Sequence, residues 1–239
     1  MSGKGVKRLI NAGIDVVVGV LEEACKKHHK RFFTCQNKQR PYIVLKWAET
    51  KNGYIAPTKK NSQKPVWISN TYSQQIVHKL RSKEHAILVG TTTVFADNPK
   101  LNVRTWSGNS PVRVVLDRNL KIPLSSHVYD SNQKTIFIVD ITTHLGYKSE
   151  NIIYEQVDFT SSVATQIIQV LQKHNIQSII IEGGTKTLQT FIDANLWDEA
   201  LVFIGKNRFK DGVKAPILQK EPIYKHGILG DELKKYKND

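Results

Sequence analysis

The part of this sequence with the clearest capacity for chemistry is the run Glu182-Gly183-Gly184-Thr185. Three isoleucines precede it at 179–181 and a helical pattern follows, so it is predicted to be a strand-to-helix turn. Two glycines in such a turn leave the first N–H groups of the helix open to an anion. Glu182 would face the crevice in which α/β proteins bind ligands. An ordinary tight turn without a ligand is the alternative, and the incomplete glycine pattern excludes a Rossmann fingerprint.

A second predicted strand-to-helix turn follows the apolar residues 86–89. It contains Gly90 and a run of three threonines that ends at Thr93. Their hydroxyl groups can cap a short helix or donate hydrogen bonds to a phosphate. Asp97 lies at the end of this short helix, directly before an Asn-Pro pair that terminates it. The sequence therefore places two potential anion-binding turns in one chain.

Basic and aromatic side chains occur around these turns. Arg81 and Arg104 are candidates for bidentate binding of a phosphate, although a single arginine is most often a surface residue. Trp47 and Trp67 could stack on a ring, but each could equally fill a core. Asn52-Gly53 lies between two apolar segments and predicts a tight turn.

These candidate residues require a scaffold of alternating strands and helices. Short β-branched runs predict the strands, and several intervening stretches have the 3.6-residue periodicity of amphipathic helices. Such alternation is typical of an α/β protein whose sheet is covered by helices on both faces. The predicted strands are at residues 42–45, 86–89, 112–116, 135–139, 178–181 and 200–204, and the predicted helices are at 70–83, 161–174 and 185–196.

The first forty residues have a different pattern. Residues 5–12 predict a short helix, residues 15–20 a strand, and residues 21–36 a charged helix. Three such elements cannot bury a core of their own, so they pack on the main domain or belong to a second one. The main domain is therefore expected to begin near Arg40.

Composition excludes several classes of protein. The chain has 239 residues, 40% of them hydrophobic, and a formal net charge of +14, which excludes disordered and collagen-like proteins. No apolar run reaches the ~20 residues of a membrane span, and the N-terminus lacks a secretory signal. Cys25 and Cys35 are too few for a disulfide framework, and no zinc, Walker A or nucleophile-elbow motif occurs. These features favour a globular cytoplasmic protein whose positive charge covers its surface or attracts an anionic ligand.

Taken in order, these segments resemble the reductase domain of the riboflavin-biosynthesis deaminase/reductases. The resemblance covers about residue 40 to residue 217, and residues 3–16 are similar to the last helix and strand of the deaminase half, whose zinc motif is absent here. We therefore expect residues 1–39 to be the remnant of a deaminase domain plus a linker helix, and residues 40–239 to be an NADPH-dependent reductase domain. The matching motifs are Lys46-Trp47-Ala48, Asn52-Gly53, Trp67-Ile68-Ser69, Leu80-Arg81, residues 85–90, residues 93–101 and Glu182-Gly183-Gly184.

The resemblance implies a dihydrofolate-reductase-like fold, with a mixed, mostly parallel sheet and helices on both faces. It implies NADPH as the cofactor and no metal. The implied cofactor-binding residues are Ala48, Trp67, Thr93, Asp97, Gly184 and Thr185. The implied substrate-binding residues are Arg81, Leu101, Arg104 and Glu182. The two arginines would hold a ribose phosphate, in agreement with their interpretation as anion-binding residues.

Three positions depart from the family pattern. Asn52 stands where an aspartate is usual, Pro65 where a substrate-binding serine is frequent, and Arg118 where a cofactor-binding serine is frequent. The hydrogen bonds of both serines are lost. Arg118 could instead bind a phosphate, such as the 2′-phosphate of NADPH.

The implied reaction is reduction of 5-amino-6-(5-phosphoribosylamino)uracil to 5-amino-6-(5-phosphoribitylamino)uracil, with hydride from NADPH after the ribose opens to an imine. Asp97, or alternatively Glu182, is expected as the catalytic acid, a role that requires a raised pKa near neutral pH. The expected partner is a phosphorylated pyrimidine substrate, with neither nucleic acid nor membrane involved. The chain is expected to be a cytoplasmic homodimer.

Three alternatives stay open at this point. The chain could be another dihydrofolate-reductase-like enzyme for a pterin or pyrimidine, since Pro65 removes a substrate-binding serine. It could be a non-catalytic nucleic-acid-binding domain, which the charge of +14 permits but no recognised motif supports. It could also be a fragment retained for assembly without catalysis.

Overall fold

A computed structural model describes residues 3–60, 62–146 and 149–238 of the chain. The helices in these ranges are α1 (Lys4–Asn11), α2 (Glu22–His28), α3 (Lys30–Lys38), α4 (Thr71–Arg81), α5 (Thr91–Asp97), α6 (Val163–Lys173) and α7 (Thr185–Asp193), with a 3₁₀ helix at His127–Tyr129. The strands are β1 (Tyr42–Thr50), β2 (Tyr54–Ala56), β3 (Ala86–Gly90), β4 (Val112–Leu116), β5 (Thr135–Asp140), β6 (Ile152–Val157), β7 (Ser178–Ile181), β8 (Glu199–Gly205), β9 (Val213–Lys214), β10 (Tyr224–Ile228) and β11 (Asp231–Lys237). Of the helices in the described part, none has both the length and the apolar character needed to cross a bilayer.

Nine of the described strands form one sheet, in the order β10-β11-β8-β1-β7-β3-β4-β5-β6. The seven strands from β8 to β6 pair in parallel, whereas β11 pairs antiparallel with both of its neighbours. Strands β2 and β9 form a separate antiparallel pair. The predicted α/β fold with a mixed, mostly parallel sheet is therefore confirmed.

The central strands read as continuous apolar runs because both faces of the sheet are covered. Every residue of β3 and β7 is buried. One core packs the sheet against α6 and α7, with Ile167 and Phe191 fully buried there. The opposite core contains Val94 of α5 and Leu80 of α4. Helices therefore cover both faces, as predicted.

Local interactions fix the elements that border the crevice. Helix α4 is capped at its N-terminus by Asn70, whose side chain accepts a hydrogen bond from the N–H of Ser73 at 2.9 Å. The turns after β3 and β7 touch each other closely, because a Cβ atom on Gly183 would lie 2.8 Å from the hydroxyl oxygen of Thr93. A glycine at 183 is therefore needed to bring the two predicted anion-binding turns together.

The N-terminal segment differs from its prediction in two places. The predicted short helix is present as α1, but the predicted charged helix is divided into α2 and α3, which meet at His29. The strand predicted at residues 15–20 is wrong, since this stretch is irregular and Val17 and Val18 are exposed. In the described part of the chain no strand pairs with it, and an isolated strand has no partner for its backbone hydrogen bonds.

Candidate functional site

A cavity of about 930 Å³ lies beside the carboxyl ends of β3 and β7 and against α4. Residues of β1, α4, α5, the loop between β2 and α4 and the loop after α5 form most of the remaining wall. Parallel strands place their carboxyl ends at one edge, which is where α/β proteins bind ligands. All but one of the predicted site residues line this cavity: Ala48, Trp67, Arg81, Thr93, Asp97, Leu101, Arg104, Glu182 and Gly184.

Thr185 is the predicted site residue that does not line the cavity. It is the first residue of α7, and its hydroxyl donates a hydrogen bond to the carbonyl of Lys214 in β9. The preceding Gly184 has a φ of 68° and provides no side chain to cap the helix. The first N–H groups of α7 therefore lack a side-chain cap, and an anion in the cavity can reach them through Gly184.

The most buried charges of the cavity belong to Arg81 and Glu182. The Nε and Nη2 groups of Arg81 donate to the two carboxylate oxygens of Glu182 at 2.7 and 2.6 Å. Nη1 donates to the carbonyl of Asn102 at 3.2 Å, so two of the five N–H donors of Arg81 have no acceptor in the described part of the chain. The pair is bidentate and can still offer hydrogen bonds to a bound anion.

The surroundings of Glu182 fix its ionisation. Burial alone would raise the pKa of its carboxyl, but Arg81 and Lys46 outweigh this effect and lower the pKa to about 2. A carboxylate with so low a pKa carries no proton near neutral pH. The expectation that Glu182 donates a proton therefore disagrees with this environment, and its visible role is to hold Arg81.

Lys46 is a cavity residue that was not predicted to belong to the site. Its Nζ lies 3.7 Å from Oε2 of Glu182, and burial lowers its pKa while Glu182 opposes that effect. The sequence does contain a signal for it. Lys46 interrupts the apolar run of β1 and lies two residues before Ala48, which places both side chains on one face of the strand.

Asp97 is paired with a lysine from the loop between β2 and α4. The Nζ group of Lys60 donates to the Asp97 carboxylate and, at 2.8 Å, to the carbonyl of Ala96. In the same loop Gln63 donates to the carbonyl of Phe95 at 2.9 Å. These bonds attach the loop to α5 across the cavity. A ligand that binds the Asp97 carboxylate therefore competes with Lys60.

The remaining predicted residues differ in exposure. Leu101 is buried, whereas Trp67 is 56% exposed and so presents an aromatic face at the cavity wall. Arg104 is exposed, and its Nη1 donates to the side chain of Asn102 at 2.7 Å. Trp47, which could have been a stacking residue, is buried in the core cluster that includes α6 and α7, and it also lines the cavity.

The three departures from the family pattern have different outcomes. Asn52 donates from its side-chain amide to the carbonyl of Phe209 at 2.7 Å, a bond that an aspartate could not make. Pro65 lines the cavity, as its predicted substrate-binding position requires. Arg118 is not among the cavity residues, and its Nε donates to Asp140 at 3.2 Å.

Metal-ligating residue types are scattered in the structure. Both cysteines are free, and Cys25 is exposed. In residues 3–60, 62–146 and 149–238, no group of three or more His, Cys, Asp or Glu side chains could hold a metal ion.

Comparison with known sequences identifies similar proteins. Residues 41–206 match the family described as the RibD C-terminal domain. The riboflavin biosynthesis protein RibD of Aquifex aeolicus is 36% identical over 217 residues, which are 89% of this chain and 60% of that protein. RibD of Synechocystis is 33% identical over 187 residues, 77% of this chain and 50% of that protein. The chain thus spans 50–60% of the length of these relatives.

Comparison with solved structures agrees. A Thermotoga maritima protein described as a diaminohydroxyphosphoribosylaminopyrimidine deaminase/5-amino-6-(5-phosphoribosylamino)uracil reductase has a TM-score of 0.85 and 29% identity. The match covers all of this chain and 68% of that one. The riboflavin biosynthesis reductase Rib7 of Saccharomyces cerevisiae matches 89% of this chain and 98% of its own, with a TM-score of 0.67 and 18% identity. This second likeness concerns the fold.

Proposed function

The chain belongs to the RibD C-terminal domain family, and on that premise we propose that it reduces 5-amino-6-(5-phosphoribosylamino)uracil to 5-amino-6-(5-phosphoribitylamino)uracil with NADPH. The observation that carries the proposal is the cavity, whose wall brings together Lys46, Arg81, Arg104 and Glu182 within the residues that match the family. Ligand pockets in proteins are about 300–1,000 Å³ in volume, and this one is at the upper end of that range.

The cavity wall fits a dinucleotide. Gly183 and Gly184 allow close approach to the start of α7, where an uncapped helix N-terminus attracts a phosphate. Bound NADPH would supply the hydride. The residues proposed to hold it are Ala48, Trp67, Thr93, Asp97, Gly184 and Thr185. Because its hydroxyl is already bonded to Lys214, Thr185 would act through its backbone N–H.

The opposite part of the cavity fits a phosphorylated sugar. Arg104 is free to move toward a phosphate, and Arg81 keeps two donors available while Glu182 fixes its orientation. Leu101 would pack against the substrate from the buried wall. Arginines recognise phosphate through parallel N–H donors, which suits both positions.

Proton handling is assigned to two groups. We keep Asp97 as the carboxyl proposed for this role, which requires that it separates from Lys60 when ligands bind. Lys46 is added because burial lowers its pKa and brings proton release closer to neutral pH. Glu182 keeps Lys46 and Arg81 in place rather than giving up a proton.

The organisation of the chain and of its assembly is proposed from the same premise. Residues 1–39 are proposed to be the deaminase-related tail with its linker helix, and residues 40–239 the reductase domain, since the family match begins at residue 41. Helix α3 is nevertheless attached to the main domain, because Arg31 pairs with the buried Glu84 and Lys30 pairs with Glu199 at 2.8 Å. A cytoplasmic homodimer is proposed, and light scattering after size-exclusion chromatography tests its stoichiometry.

The test of the proposed function is a titration of the protein with NADPH and with NADH, followed by fluorescence, and then addition of the phosphoribosylaminouracil. Preferential binding of NADPH and its oxidation on addition of substrate are expected. Oxidation with dihydrofolate in place of the aminouracil would assign the chain to another reductase of the same fold. Absence of NADPH binding, together with salt-dependent binding of unrelated oligonucleotides, would favour a nucleic-acid-binding domain.

A further inference from the structure

His78 is a cavity residue to which neither the resemblance nor the comparisons assign a role. It lies on α4 three residues before Arg81, so both side chains lie on one face of the helix. The residue as a whole is 5% exposed, and it forms part of the cavity wall. Because buried polar groups in proteins form hydrogen bonds, each nitrogen of this ring is expected to have a hydrogen-bond partner in the protein or in a ligand.

One ring nitrogen has a protein partner. The Nδ1 atom of His78 accepts a hydrogen bond from the backbone N–H of Arg104 at 3.2 Å. Burial lowers the pKa of the ring to about 4, and the positive charges of Arg81, Arg104 and Lys46 act in the same direction. The negative charge of Glu182 acts in the opposite direction. The ring is therefore neutral near pH 7, and since Nδ1 is an acceptor, the proton lies on Nε2.

The other ring nitrogen faces the cavity. In the described part of the chain no residue accepts a hydrogen bond from Nε2 of His78. No buried side-chain nitrogen or oxygen there is without a partner, so Nε2 reaches accessible space. The accessible space at this position is the cavity, where Arg81 and Arg104 are its neighbours. The wall thus presents one uncharged N–H donor together with the two arginines.

On the basis of the proposed function, we propose that His78 is a substrate-binding and positioning residue, which donates from Nε2–H to an oxygen of the phosphorylated sugar and holds the backbone of Arg104 through Nδ1. The two bonds need the same tautomer. A protonated ring would present a second donor to the N–H of Arg104 and would lose that bond. The neutral ring therefore links the position of Arg104 to recognition of the substrate.

Two variants separate binding from simple packing. His78→Gln keeps an acceptor and a donor on an uncharged side chain, whereas His78→Leu keeps apolar volume and loses both. The matched control is His85→Leu, because Nδ1 of His85 also accepts a backbone N–H, that of Gln177 at 3.3 Å, but His85 does not line the cavity.

The experiment measures KM and kcat for the aminouracil, the Kd of NADPH, and the Kd of ribose 5-phosphate by calorimetric titration. For His78→Leu we expect the KM and the ribose 5-phosphate Kd to rise about tenfold or more, with the NADPH Kd unchanged. His78→Gln is expected to stay within about threefold of wild type, and His85→Leu to match wild type. Unchanged NADPH binding also shows that the variants are folded.

Three outcomes overturn the proposal, and a fourth concerns the proposed function alone. Equal ribose 5-phosphate affinity in wild type and His78→Leu would show that His78 does not contact the sugar. Equal losses of ribose 5-phosphate affinity in His78→Gln and His78→Leu would show that His78 acts only in packing. A wild-type protein that does not bind ribose 5-phosphate also contradicts it. A wild-type protein that binds ribose 5-phosphate but does not oxidise NADPH contradicts the proposed function alone, and the titrations then still decide the role of His78.

Discussion

Two sets of buried ion pairs occupy opposite ends of the sheet. At the amino ends of the strands, Arg40 donates to both carboxylate oxygens of Asp198 at 2.6 and 2.8 Å, and Arg31 pairs with Glu84. We call these four residues the amino-end cluster. The cavity cluster consists of Lys46, Arg81 and Glu182. Both clusters use bidentate arginine–carboxylate pairs, so the chemistry of the pair does not distinguish them.

The difference lies in what surrounds the pairs. In the amino-end cluster, Asp198 also accepts the N–H of Ile43 at 2.9 Å and Arg40 also donates to the carbonyl of Pro41 at 2.9 Å. The cavity cluster instead borders about 930 Å³ of open space, into which the donors of Arg81 that are unpaired in the described residues can offer hydrogen bonds. The amino-end cluster lines no part of this cavity and joins elements of the fold, whereas those donors of the cavity cluster are available to a ligand.

Substitution of Arg81 is expected to have the largest effect. Arg81→Met removes a proposed phosphate donor and leaves Glu182 with Lys46 as its one ion-pair partner among the described residues. We expect kcat/KM for the aminouracil to fall on the order of a hundredfold or more, as steady-state kinetics would show. Lys83→Met, an exposed change just after the same helix, is the control. Activity in Arg81→Met close to that of Lys83→Met would contradict a functional role for the cavity cluster.

Substitution of Arg40 is expected to lower stability instead. Arg40→Met leaves the buried Asp198 with Lys38 as its remaining cation, at 3.4 Å. We expect the free energy of unfolding to fall by about 3 kcal/mol, measured by urea denaturation, because a buried charge loses its partner. The kcat/KM of the folded protein should stay within about threefold of wild type. A large loss of activity without a loss of stability would erase the distinction between the two clusters.

Arg104 tests the division of the cavity into two parts. Arg104→Ala removes an exposed cation assigned to the ribose phosphate. We expect the KM for the aminouracil to rise about tenfold, because one charge-assisted hydrogen bond is lost, with the Kd of NADPH unchanged. Kinetics at saturating NADPH and a separate cofactor titration measure the two quantities. Equal losses in both would remove the assignment of Arg104 to the phosphate.

The pH dependence of stability gives the smallest expected effect. The pKa of His78 is lowered to about 4 in the folded protein from its usual 6.5. Between these values the unfolded chain binds the extra proton, so the free energy of unfolding should rise with pH in this window. Glu182, with a pKa of about 2, acts in the same direction but only below its usual 4.5.

Urea denaturation at several pH values above about 5 isolates the contribution of His78 to stability, since Glu182 is then ionised in both the folded and the unfolded protein. From about pH 5 to neutrality, the free energy of unfolding should rise on the order of 1–2 kcal/mol more in wild type than in His78→Leu. Parallel curves for the two proteins would show that the ring is not held neutral.

The sequence predicted the sheet interior well and its edges poorly. Residues 112–116 and 178–181 are rich in valine and isoleucine, and the structure has strands with the same bounds. Strands β10 and β11 were not predicted because lysines and other polar side chains dominate them and no apolar alternation is visible. The wrong strand at residues 15–20 shows the converse, since β-branched residues do not form a strand without a partner.

The site was predicted as a set of residues but not as a set of contacts. Glu182 and Arg81 were both expected in it, but their pairing joins residues 101 positions apart and depends on the tertiary fold. That pairing lowers the pKa of Glu182 and so opposes the acid role expected for it. His78 and Lys46 were missed, although each shares a face of its element with a predicted site residue.

The most direct test of the proposal that this cavity carries out the reduction follows the hydrogen atom itself. The protein is incubated with the aminouracil and with NADPH that carries deuterium at nicotinamide C4 on either face, and the product is examined by mass spectrometry and proton NMR. We expect one of the two labelled cofactors to deliver a single deuterium to C1′ of the ribityl chain. Product without deuterium from either cofactor, or oxidation of NADPH without product, would contradict the account.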